Sequence, residues 1–249
     1  MTWDVALILA IDGLANGAVY LLAGLGLVLI FSVTRVVFVP FGDVVAFAAL
    51  SLAAFETGRT PATIGLVATL ASLAVVVEVV SLVRAGELAR IPRALVGWGL
   101  LPALPCLAAW AISGTAAPAF VRIVVAIALV VPITPLVARV ALQPMADASV
   151  LVLLIASLAL HFLLSGLGLL FFGPGGSRTG PLAEGALTLP GGFPLSAQVM
   201  LMIAAALVLS AMFYLLFERT VAGKALRATA VNRVGARLVG IRPARTALL

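Results

Sequence analysis

Between residues 5 and 217 the sequence is a series of apolar runs, each near the length of a bilayer crossing, separated by short polar breaks. The runs cover residues 5–31, 36–55, 64–83, 94–112, 120–142, 150–172 and 197–217. A helix needs about 20 apolar residues to cross the hydrocarbon core. In lipid the backbone must also satisfy its own hydrogen bonds, so such runs fold as spanning helices. Composition agrees: 64% of the residues are hydrophobic and 10% are charged, where a soluble domain carries about 25% charged residues. The expected fold is an all-α polytopic membrane protein with about seven transmembrane helices. At 249 residues, seven crossings leave no room for a soluble domain, so residues 1–249 read as one transmembrane domain. In the first run Asp12 and Gly13 place residues 1–13 at the interface, and the spanning helix is expected to start near Leu14. No positive charge precedes that run, which argues against a cleaved signal peptide.

Seven alternating crossings divide the cationic residues unequally. One side takes Arg35, the three arginines of 84–93, Arg139 and the seven cations after Phe217, which is twelve of the fifteen. The other takes Arg59, Arg122 and Arg178. Lys and Arg collect in cytoplasmic loops. The expected N-terminus is therefore outside, the Gly/Pro-rich loop 173–196 is external, and everything after Phe217 is cytoplasmic. This insertion bias also accounts for the net charge of +6 without invoking nucleic acid.

The segment 218–242, ERTVAGKALRATAVNRVGARLVGIR, is the one long polar stretch. Val221, Ala225, Ala228, Val231, Val234, Leu238 and Ile241 recur at helical spacing among its six cations, which argues for helix rather than a disordered basic tail. On an ideal helix Lys224 and Arg227 lie about 60° apart, and Arg233 and Arg237 about 40° apart. The two pairs point to nearly opposite sides, so two short helices are expected, bent between Asn232 and Ala236 where Gly235 sits. Such a segment either docks a cytoplasmic partner or binds lipid headgroups.

Ionisable residues inside spans are functional candidates. Asp12 and Glu78 lie near run ends, within reach of water. His161 is a single imidazole in an apolar run, expected to be packed or hydrogen-bonded. Asp43 follows Pro40 and Gly42, which break helix regularity. It either lines a substrate path, as broken helices do, or sits at the cytoplasmic interface. Cys106 is the only cysteine, so no intrachain disulfide forms. No catalytic or metal-ligand spacing occurs, and no cofactor is expected. No GxxxxGK[ST] phosphate loop is present, so energy for active transport would come from a separate subunit.

The run Gly223, Arg227-Ala228, Ala230, Asn232, Ala236, Gly240-Ile241 resembles the G-x-x-x-R-A-x-A-x-[DN]-x-x-x-A-x-x-x-G-I loop of permease subunits of branched-chain amino acid ABC transporters. Asn16, Gly17 and Tyr20 resemble that family's first spanning helix. Arg139 to Pro144 and the helix after it resemble its R-x-x-Y-R-P turn. Phe38 and Gly42 match the aromatic and glycine of a stretch after the first helix. The resemblance implies ABC importer permease architecture in a bacterial inner membrane, with the chain itself not an enzyme. Its implied partners are cytoplasmic ATP-binding cassette subunits, a second permease subunit and an external solute-binding protein. It implies ATPase coupling through Gly223, Lys224, Arg227, Ala230, Asn232, Ala236, Gly240 and Ile241. The substrate path it implies includes Asn16, Gly17, Tyr20, Gly42 and Asp43. Family members continue for several helices beyond this segment, whereas the sequence stops at Leu249, so the resemblance implies that C-terminal helices are lacking. A permease for a sugar, nucleoside, urea or amide, or an ion-coupled secondary transporter, are the alternative readings.

Overall fold

The computed structural model describes residues 3–34, 37–145, 148–189, 193–231 and 235. Among them, six helices are long and apolar enough to cross a membrane. They are α1 (Val5–Phe31, within a helix Trp3–Thr34), α3 (Thr63–Arg84), α4 (Leu88–Ile112), α5 (Ala119–Met145), α6 (Val150–Phe172) and α7 (Ala197–Arg219). The expected second span is instead a helix of 16 residues, α2 (Phe41–Glu56). At 1.5 Å per residue it is about 24 Å long, short of a core about 30 Å thick. A short helix α8 (Val221–Val231) follows α7.

The chain forms two compact units, one of residues 39–180 and one of residues 1–38 with 181–249. In the first of these, α3 is the central helix and packs on α4, α5 and α6. Its Leu66, Val67 and Ala74 are buried, together with Leu129, Ile133, Leu136 and Val137 of α5 and Leu164 of α6. Two helices carry π turns, Val96–Leu100 in α4 and Ala138–Leu142 in α5. Each lies next to a proline pair, Pro102 and Pro105 or Pro132 and Pro135, which removes backbone donors. After the Val131–Pro132 break Ile133, Leu136 and Val137 are buried, whereas Val131 itself is exposed.

The two faces of this unit follow from contacts between loops. The Gly180 N–H donates to Glu56 Oε2 at 3.1 Å, and Gly114 lies beside the Gly58 carbonyl. The turns after α2, α4 and α6 therefore share one face, which carries Arg59 and Arg178. Near the opposite face, Arg139 of α5 pairs with Glu78 of α3 and donates to Ser81 Oγ at 3.2 Å. Glu78 is thus held by a guanidinium rather than reaching for water by itself.

In the other unit α1 packs along α7 and α8. The α1 helix begins at Trp3 rather than at Leu14. Residues 14–34 alone would extend about 31 Å, enough for the core, so the turns before them prolong the same helix. Ala15 and Ala18 are buried, whereas Asp12, Asn16, Gly17 and Tyr20 are exposed. Nothing lies within 4 Å of where a Cβ would stand at Gly17 or Gly24, so the close-packed residues of α1 are alanines, not these glycines. Within the expected loop 173–196, β1 (Ala186–Leu189) pairs antiparallel with β2 (Phe193–Ser196), with Ala186 opposite Ser196 and Leu189 opposite Phe193. The Ala197 N–H then bonds the Gly185 carbonyl at 2.9 Å and starts α7 directly from the hairpin.

Candidate functional site

Two places bring candidate residues together. The first is where α2 meets α6. On α6, Ser157, His161 and Ser165 recur every four residues and so line one stripe of the helix. Ser157 is fully buried and its Oγ accepts from the Val39 N–H at 2.9 Å. His161 Nδ1 lies 2.7 Å from Asp43 Oδ2, and Ser165 Oγ donates to Asp43 Oδ1 at 2.8 Å. One turn on, the Phe47 ring rests on Gly168 and stacks on Phe172, with centroids 6.0 Å apart. The positions 39, 43 and 47 thus meet 157, 161/165 and 168/172 in step.

This register sets the depth of α2. His161 is the twelfth of the 23 residues of α6, close to its midpoint. Asp43, in the first turn of α2, stands at that level, and Glu56 reaches past the end of α6 to Gly180. The helix starts halfway along α6, and the chain enters it through non-helical backbone at Val39 and Pro40. Pro40 has no N–H, and Ser157 receives that of Val39, so neither residue leaves a bare donor. The Asp43 carboxylate sits at the positive end of α2 and its side chain is only 11% exposed. With Asp43 ionised, its bond to His161 requires the imidazole proton on Nδ1. The arrangement holds a carboxylate at mid-span with two donors, and an approaching ligand would compete with Ser165 and His161 for its lone pairs.

The second place is the corner between α7 and α8. Thr220 ends one helix and begins the other. Its N–H and Oγ1–H both donate to the Leu216 carbonyl, and its Oγ1 accepts from the Gly223 N–H at 3.0 Å, as an N-cap threonine does. Gly223 is buried, and a Cβ there would collide with the Leu216 carbonyl oxygen and stand 2.6 Å from Phe217 Cα. Only glycine lets the two backbones meet this closely. Arg227 donates from Nη1 to Glu218 Oε1 at 2.6 Å and from Nη2 to the Phe217 carbonyl at 2.7 Å. Leu226 is buried, whereas Val221 and Lys224 are exposed.

The expected coupling residues therefore divide. Gly223, Lys224, Arg227 and Ala230 belong to α8; Asn232, Ala236, Gly240 and Ile241 lie outside the described residues, as does the bend expected between Asn232 and Ala236. Of the expected substrate-path residues, Asp43 is bonded as described and Gly42 precedes it in the first turn of α2, exposed with no neighbour near its Cβ position. Asn16, Gly17 and Tyr20 belong to the other unit. Ser157, Ser165 and Glu218 went unread in the sequence. The four-residue spacing of Ser157, His161 and Ser165 was the signal for the first two; nothing local announces that Glu218 pairs with a residue nine positions on.

The described geometry, six spanning helices, a broken second segment and a capped helical corner on a basic stretch, fits a transport subunit. No curated protein and no solved structure matches the chain. The family described as branched-chain amino acid transport system / permease component matches residues 9–249. The chain belongs to this family of permease components.

Proposed function

We propose that the chain is the membrane-spanning subunit of an ABC importer for branched-chain or similar amino acids. A single permease domain of residues 1–249 takes substrate from an external solute-binding protein and pairs with a second permease subunit. ATP hydrolysis belongs to cytoplasmic ATP-binding cassette subunits docked on residues 218–242. The site is the bacterial inner membrane, with the N-terminus and residues 173–196 outside. The observation that carries this reading is α8: a short helix at the basic end of a span, packed on one side and presenting Val221 and Lys224 on the other. A helix of this kind seats in a groove of a soluble subunit and passes its closure on as rigid-body motion. Asn16, Gly17, Tyr20, Gly42 and Asp43 are proposed to line the substrate path.

The test is reconstitution of the assembled transporter in vesicles with binding protein, followed by uptake of leucine, isoleucine or valine. Uptake that needs internal ATP and survives collapse of the proton gradient supports the reading. The mid-span Asp43–His161 pair favours one rival, an ion-coupled secondary transporter. Uptake that stops with the gradient while ATP is held constant selects that rival. Transport of a sugar, nucleoside, urea or amide instead would keep the ABC reading and change the substrate.

A further inference from the structure

Arg227 is exposed, basic and on the segment proposed to dock the ATPase, so a direct contact with that subunit is the obvious role for it. Its bonds point the other way. Both terminal nitrogens of the guanidinium are turned back onto α7, one to the Glu218 carboxylate and one to the Phe217 carbonyl. That carbonyl is among the last of α7, where no further turn of the helix supplies a donor. Glu218 lies in the last turn of α7 and Arg227 in the second turn of α8. The pair therefore bridges the two helices across the one residue, Thr220, that joins them.

The junction needs such a bridge. A single non-helical residue leaves two soft dihedrals about which α8 can pivot. A push on a pivoting helix is spent in the pivot and does not reach the span. Thr220 caps both helix ends, Gly223 sets the first turn of α8 against the last of α7, and Arg227 closes the triangle one turn further out. An exposed ion pair adds little stability by itself. The planar fork of arginine, however, fixes direction as well as distance when two acceptors are engaged. We infer that Arg227 is a positioning residue, an internal strut with Glu218 that locks the angle between α7 and α8, so that force on α8 moves α7. Partner contact is left to the outer face with Val221 and Lys224. The inference rests on the docking role proposed for α8.

The test uses the assembled transporter, with charge reversal and charge exchange. Arg227→Glu and Glu218→Arg are each expected to lower substrate-stimulated ATPase activity about tenfold, with ATPase subunits still retained on the purified permease. The double exchange Glu218→Arg/Arg227→Glu is expected to recover activity to within about threefold. Spin labels at Val208 and Ala228, in a Cys106→Ser background, report the helix angle independently of any partner. Their distance distribution is expected to be narrow in the parent and the double exchange and broad in each single variant. If it stays narrow in both single variants, the strut is refuted. If Arg227→Glu releases the ATPase subunits and the exchange does not restore them, Arg227 is a partner contact and the strut is likewise refuted, with docking intact. The control Val221→Asp/Lys224→Glu is expected to release the subunits; if it does not, docking on α8 is refuted, and with it the strut's role in coupling, while the distance measurement still decides the geometry.

Discussion

At the scale of single residues, Asp43 decides most. A carboxylate near mid-span survives because His161 and Ser165 both hold it. Removing one donor from a buried carboxylate costs about 1–3 kcal/mol. His161→Ala is therefore expected to destabilise the protein by that amount in detergent unfolding, and His161→Gln, which keeps a donor, by less. Asp43→Asn should fold but lower substrate uptake at least tenfold if the carboxylate lines the path. Equal uptake by Asp43→Asn and the parent would make it a purely structural anchor. Glu78 and Arg139 form the other half-buried pair. Removing one partner of a buried pair costs about 3–5 kcal/mol, an upper bound here because both side chains keep some exposure. Arg139→Ala should consequently lower the unfolding midpoint more than Arg90→Ala, whose bond to Glu87 is a surface contact between residues three apart.

At the scale of elements, two helices depend on glycine for opposite reasons. Gly168 makes room for a side chain: a Cβ there would stand 3.0 Å from the Phe47 ring. Gly168→Ala is expected to shift α2 along α6 by a few tenths of an ångström and cost about 1–3 kcal/mol, read as a lowered thermal midpoint. Gly223 makes room for backbone, which has no rotamer to escape into. Gly223→Ala must swing the start of α8 away from α7. The expected outcome is a broadened label distance between Val208 and Ala228 together with loss of substrate-stimulated ATPase activity. A narrow distribution in that variant would mean the corner tolerates a side chain. The α2 helix also shows why an apolar run is not always one continuous spanning helix. Residues 36–55 have the composition for a crossing, but Pro40 prevents regular helix across it, and the helix begins only at Phe41.

At the scale of the whole molecule, sidedness is the property to measure. Single cysteines at Gly58 and Gly176, in a Cys106→Ser background, are expected to react with a membrane-impermeant thiol reagent added to intact cells. A cysteine at Gly86 is expected to react only after the membrane is opened. Labelling of Gly86 from outside would invert the arrangement. A cysteine at Thr2 tests the segment before α2 separately. Its labelling from outside requires residues 35–56 to complete a crossing although α2 begins halfway along α6.

The sequence by itself determined the class of fold and the spanning helices outside residues 36–55. Those properties depend on apolar length, which is a local sum along the chain. It also marked Asp43, because aspartate in an apolar run is costly unless something requires it, while Gly223 stood out only through the family resemblance. Only the tertiary structure decided what requires each of them. That Asp43 meets His161, 118 positions away, follows from how α2 and α6 register. That Arg227 turns to Glu218 rather than outward follows from the sharp corner at Thr220, which brings the second turn of one helix over the last turn of another. Contacts of this kind join residues by packing geometry, and no spacing along a single helix encodes them.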